Sequence, residues 1–190
     1  MVEKYREEYI TLHEESQSYG ASGVAYLNEA SIFINYLQAQ SVLDFGCGKG
    51  TLIDALKSLY GASIDLCGYD PYVKGKDLIP NKKYDPILCT DVLEHIPEEE
   101  IEGVLDQIKI YGSNVFFVLD HSKAFTVLPN GENAHCTIKP LEWYLRLFEK
   151  KFKKLTYLES ADKWRSVVLT FGITPDVYNQ YYKFCVDKRQ

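Results

Sequence analysis

The sequence is short of positive charge. Its 190 residues carry 21 lysines and arginines against 27 aspartates and glutamates, a net charge of −6. That balance argues against broad binding to nucleic acid backbones, which rewards clustered cations. The one basic cluster, Arg146 to Lys154, falls at the end of an expected helix, where cations complement the dipole. No apolar run approaches the ~20 residues needed to span a bilayer. The opening MVEKYREEYITLHEE is charged from its third residue and does not read as a signal peptide, and CVDKRQ is no prenylation box. Cys47, Cys67, Cys89, Cys136 and Cys185 include no C-x-x-C pair, which predicts reduced thiols and a cytoplasmic chain. Repeats, low-complexity tracts and interdomain linkers are missing too. The expectation is one domain over 1–190, with N-terminal helices forming a lid over 1–38 and a core over 39–190.

What is present is a succession of short apolar runs and helical spacings. Tyr5, Tyr9 and Leu12 suit a helix over 2–15, SQSYGASG a loop, and Val24, Leu27, Ser31 and Ile34 one face of a second helix to Leu37. SVLDF reads as a strand. TLIDALKSLY reads as a helix with Leu52, Ile53, Leu56, Leu59 and Tyr60 inward and Gly61 just past its end, and SIDLCGYD as a second strand. Strand, glycine turn, helix and strand make a βαβ unit. KYDPILCTD is the next strand. Pro97 and three glutamates then open a helix whose buried stripe is Ile101, Val104, Leu105 and Ile108, and Gly112 ends it. NVFFVLD, apolar throughout, suits a strand covered on both faces. A long loop over 121–138 follows, then a helix opened by Thr137 and Pro140 and running through Phe152. KKLTYLES and the longer KWRSVVLTFGIT read as strands, and Thr174-Pro175-Asp176 starts a last helix. The predicted fold is α/β and Rossmann-like: a mostly parallel sheet, helices on both faces, and an antiparallel C-terminal strand.

The turn in VLDFGCGKG, with Gly46, Gly48 and Gly50 at alternate positions, carries the functional signal. Glycines let backbone approach a ligand, and the helix that follows offers free N–H groups. A phosphate-binding P-loop is excluded, because Gly48-Lys49 is followed by Gly50 and Leu43 stands at its first glycine. A dinucleotide site is poorly matched, with Thr51 where the third glycine belongs. The stretch resembles the first motif of class I S-adenosylmethionine-dependent methyltransferases. That resemblance implies that Asp44, Gly46, Cys47, Gly48 and Gly50 hold the methionine end of the cofactor. It implies also that Asp70, ending the next strand, accepts the ribose hydroxyls, with Pro71 and Tyr72 beside the adenine. YDPILCTDVLEHIP resembles the family's fourth motif and implies that Thr90 and Asp91 stand by the reacting methyl. The chain departs from the family between Asp70 and Asp85, where the 14 residues 71–84 replace a helix and a strand. One peripheral βα unit is therefore expected to be reduced to a loop.

Methyl transfer to a hydroxyl gains from a base. His121, at the end of a strand, and His135, in the long loop, are the candidates, with Asp91 ending a neighbouring strand at the same sheet edge. The run LPNGENAHCTIKPLEWY is similar to one in a subgroup of small bacterial and phage methyltransferases. Asp91, Glu94 and His95 resemble a metal-binding stretch of some magnesium-dependent O-methyltransferases, an alternative to the metal-free reading. Neither [DN]-P-P-[YFW] nor a Pro-Cys pair occurs, which removes the signals of nucleobase methylation. The expected activity is methylation of a hydroxyl on a small molecule or a sugar or lipid precursor. The alternative from another class is a catalytically silent cofactor-binding module that partners another protein. The sequence carries no signal for an oligomeric state.

Overall fold

The computed structural model describes residues 4–159 and 164–187. Six strands form one sheet in the order β2-β1-β3-β4-β6-β5. They are β1 (Ser41–Phe45), β2 (Asp65–Tyr69), β3 (Ile87–Thr90), β4 (Val115–Asp120), β5 (Thr156–Glu159) and β6 (Arg165–Leu169). β1 pairs in parallel with β2 and β3, and β3 with β4; β6 runs antiparallel to both β4 and β5. The helices are α1 (Arg6–Glu15), α2 (Leu27–Tyr36), α3 (Thr51–Tyr60), α4 (Glu98–Tyr111), α5 (Leu141–Lys151) and α6 (Pro175–Asp187), with short 3-10 turns at Ser22–Tyr26 and Leu93–His95.

Neighbouring residues along each central strand feed opposite cores, as the period-2 pleat requires. Leu43, Ile87 and Phe117 face α4 and α5, meeting Ile101, Leu105 and Phe148. Val42, Leu88 and Phe116 face α2, α3 and α6, meeting Phe33, Leu52 and Tyr181. This double coverage is why the strands read as unbroken apolar runs.

The elements differ from expectation in detail. Leu59 and Val24 are exposed, since α3 and the turn before α2 bury narrower stripes than their spacing allows. β6 stops at Leu169, and Thr137 does not open α5: its side chain is buried and donates to Ile96 O at 2.6 Å. Residues 71–84 hold neither helix nor strand, so β2 is an edge strand. Its first residue, Asp65, is exposed and paired with Lys82, a charge pair that discourages further strand pairing. Among the described residues no helix is long and apolar enough to cross a membrane. Cys47, Cys67, Cys89 and Cys136 are free thiols.

Candidate active site

The parallel strands end together, and their carboxyl ends open into a cavity of about 470 Å³, within the ~300–1,000 Å³ of small-molecule pockets. Asp44, Gly46, Cys47, Gly48, Asp70, Pro71, Tyr72, Thr90 and Asp91 line it, as does His135. Gly50 and His121 do not.

The glycine turn is tied to β2 first. Gly46 N and Cys47 N both donate to Tyr69 O, at 2.8 and 3.0 Å. Gly48 N donates to Asp70 Oδ2 and Tyr72 N to Asp70 Oδ1, each at 2.9 Å. Gly48 has φ +50°, and a Cβ there would lie 2.8 Å from Gly20 Cα and closer still to its carbonyl oxygen. The residue pressing on the turn is thus the chain's own Gly20, whose carbonyl accepts Lys49 N at 2.8 Å. Thr51 Oγ1 donates to Ala21 O at 2.9 Å and Lys49 Nζ to His13 O at 3.0 Å. Gly50, also at positive φ, packs against Lys76 at the start of α3 and serves the turn rather than the cavity wall.

Two buried groups at this end have unspent bonding capacity. Asp44 Oδ1 is buried with no partner, and burial with Asp70 nearby pushes its carboxyl up to about 7, against the pull of Lys76. His13 Nδ1 is likewise unpartnered; burial lowers its pKa while Asp70 opposes. Burial raises Asp70 too, against its hydrogen bonds from Tyr72 and Gly48 and the nearby His13. A buried carboxylate without a partner is costly unless a cation meets it. Asp44 therefore fits an ammonium group, and Asp70 keeps lone pairs for further donors.

The N-terminal segment roofs the cavity. Tyr9 OH bonds to His95 O at 2.9 Å and Ala134 O at 2.8 Å, tying α1 to the loops after β3 and β4. The Tyr19 ring lies 4.8 Å from His13 and 6.0 Å from His95.

Charged groups gather at the other end. Asp91 has φ +54°, unusual for a non-glycine residue, and its carboxylate accepts Tyr26 OH at 2.9 and 3.1 Å. Burial raises Asp91 while Arg165 and Tyr26 lower it. Arg165 Nε donates to Asp120 Oδ2 at 3.2 Å. Burial pushes Asp120 up, but hydrogen bonds from Ser122 and Arg165 outweigh it. His135 Nδ1 sits 2.7 Å from Ser122 O, which assigns the proton to Nδ1 and a lone pair to Nε2. The His135 ring stands 4.7 Å from His95, edge to face. His95 Nδ1 donates to Ala134 O at 2.8 Å, and burial with His135 nearby pushes it down to about 3, so it stays neutral.

His121 is not brought to this cluster. Its Nδ1 lies 2.8 Å from Lys139 O and its Nε2 2.9 Å from Ser166 Oγ, so both nitrogens serve the fold. The preceding Asp120 lines the cavity, and the alternation of side chains turns His121 away. Nor do Asp91, Glu94 and His95 converge. Glu94 Oε1 accepts Asp120 N at 3.1 Å inside the core, and among the described residues no three His, Cys, Asp or Glu are placed to hold a metal ion. Sequence reasoning missed Tyr26, Asp120 and Arg165. Only Asp120 left a signal, as the last residue of an apolar strand.

The family model for the methyltransferase domain matches residues 15–161. A search of curated proteins finds no match. Among solved structures, the methyltransferase domain of bacterial CtHen1-CN is 18% identical with a TM-score of 0.57, over 78% of this chain and 100% of that one. PigF with S-adenosylhomocysteine (SAH) is 16% identical with a TM-score of 0.56, over 85% of this chain and 58% of that one. The plantazolicin methyltransferase BpumL in complex with SAH is 16% identical with a TM-score of 0.55, over 85% and 82%. These likenesses show a shared fold, and with the family match they establish that the chain belongs to the methyltransferase-domain family, the class I S-adenosylmethionine-dependent methyltransferases that its glycine turn resembles.

Proposed function

We propose that the protein methylates a hydroxyl of a small molecule or of a sugar or lipid precursor, in the cytoplasm, as a single catalytic domain. The observation that carries this reading is the unpartnered, buried Asp44 beside the Gly46–Gly48 turn, in one cavity with the Nε2 lone pair of His135. S-adenosylmethionine, when bound, supplies an activated methyl group. Asp44 would hold its ammonium, Asp70 its ribose hydroxyls, and Gly46, Cys47 and Gly48 its methionine portion. Pro71 and Tyr72 would flank the base. Thr90 and Asp91 border the space left for the acceptor.

His135 is the chain's base. Ser122 O holds its Nδ1–H and so orients Nε2 to take a proton from an acceptor hydroxyl. Ser122 and Arg165 keep Asp120 ionised, and Tyr26 fixes Asp91 beside them. The Tyr9 and Gly20 contacts hold the N-terminal segment over the cavity, which excludes water. The net charge of −6 favours an acceptor that is not a polyanion.

The test is release of SAH from S-adenosylmethionine with fractionated small-molecule extracts. His135→Ala should lower turnover about 10²-fold with SAH affinity unchanged. His121→Ala should cost stability before it costs turnover. Parent-like turnover of the His135 variant would remove it as base, and SAH binding without turnover in any fraction would favour the silent module.

A further inference from the structure

The 121–138 loop folds back on itself before it reaches His135. Near its tip the two arms are joined by backbone: Leu128 N donates to Glu132 O at 2.8 Å and Ala134 N to Thr126 O at 3.1 Å. Towards the cavity, side chains take over. The amide of Asn133, which does not itself line the cavity, pairs with both backbone groups of Ala124. Its Nδ2 donates to Ala124 O at 2.8 Å, and Ala124 N donates to its Oδ1 at 3.0 Å. The same Oδ1 accepts His135 N at 3.0 Å. These partners assign the amide's orientation, because turning it over would set donor against donor and acceptor against acceptor at all three contacts. The last link between the arms is the ring of His135, with Nδ1 2.7 Å from Ser122 O.

We infer that Asn133 is the positioning residue for the base: by locking Ala124 to His135 it holds Nδ1 of the ring against Ser122 O, and so fixes the tautomer whose lone pair is on Nε2. The inference rests on His135 acting as the base, as proposed above. Ser122 is anchored from its other side, since its N and Oγ both donate to Asp120 Oδ1. Its carbonyl therefore has a set place, and the ring must be brought to it. Ala134 O accepts from Tyr9 and His95, which steadies the backbone beside His135 but does not tie it to Ser122 or Ala124. A free neutral imidazole favours its proton on Nε2. A carbonyl acceptor reverses that preference only while it stays within hydrogen-bond reach of Nδ1. Without the Asn133 amide, Ala124 N, Ala124 O and His135 N would turn to water, and the ring would revert to the ordinary tautomer.

Long-range nitrogen–proton correlation spectra of the imidazoles at pH 8, where histidine is ordinarily neutral, read the tautomers of the four histidines without an acceptor or turnover. His135→Ala assigns the His135 signal. The parent should carry the His135 proton on Nδ1. Asn133→Ala should move it to Nε2 as the major form. Asn133→Ser should do the same, because its hydroxyl can still accept His135 N but cannot pair with both groups of Ala124. Asn130→Ala removes a single side-chain bond, from Glu132 N at 2.9 Å, at the tip of the same loop, and should leave the parent spectrum. An Asn133 variant that keeps the Nδ1 proton overturns the inference. So does an Asn130 variant that loses it, since any loosening of the loop would then suffice. Loss of the His121 signature, set by Lys139 O and Ser166 Oγ, together with that of His135 would make Asn133 a support of the fold at large and overturn it as well. A parent whose His135 carries its proton on Nε2 instead overturns the base reading on which the inference stands.

Discussion

Asp44 is a buried carboxylate that the fold leaves short of a partner. It is 2% exposed, has an oxygen with no partner, and its carboxyl is pushed up to about 7 by burial and by Asp70. The folded pKa lies above the ordinary 3.8, so between pH 4 and 7 the folded state holds a proton that the unfolded state has released. Stability from this group is therefore present at low pH and lost as pH rises through about 7. Asp44→Asn should match the parent near pH 4 and exceed it by roughly 1–4 kcal/mol above neutrality in the absence of ligand. The same variant should bind SAH more weakly. Chemical denaturation across that range checks the first outcome and calorimetry the second. A parent that stays less stable than the variant at pH 4 would point to packing rather than charge.

At the scale of elements, the Gly46–Gly50 stretch is shaped by a neighbour within the fold. The sequence suggests that glycine is needed there for a ligand. At Gly48 the close neighbour is backbone at Gly20, so the turn is built to receive the N-terminal segment. Gly48→Ala would strain a φ of +50° and drive Gly20 away, breaking the bond from Lys49 N to Gly20 O. Hydrogen exchange at Lys49 should accelerate, SAH affinity should fall, and stability should drop by about 1–3 kcal/mol. Tyr9 holds the same segment from its other end through its bonds to His95 O and Ala134 O. Tyr9→Phe keeps the ring and should lower stability by about 1 kcal/mol, with faster proteolysis in the 121–138 loop. Unchanged cleavage there would mean that the roof and the loop are not coupled.

For the whole molecule, what was legible follows from how local each signal is. The glycine turn, the strand ends Asp70 and Asp91, and the shortened 71–84 segment are contiguous or countable, and the sheet order agrees with them. Tyr26 and Arg165 were not legible, because they reach Asp91 and Asp120 across 65 and 45 residues. His121 misled because the end of a strand gives a residue's place but not its side. The cavity that results holds Asp44, Asp70 and Asp91 at its edges, all three raised by burial, and this sets a property of the folded chain as a whole. A ligand bearing an ammonium group meets an ionised Asp44 at pH 8 but must first displace a proton at pH 5.5. SAH should then bind about tenfold more tightly at the higher pH, with proton release detectable at the lower. At 100 times the dissociation constant it should stabilise the protein by about 2.7 kcal/mol. At one fixed SAH concentration, the rise in melting temperature should accordingly be larger at pH 8 than at pH 5.5, and Asp44→Asn should flatten the difference. A rise that is equal at both pH values in the parent would mean that the ammonium is held elsewhere, and the unpartnered Asp44 would need another cation.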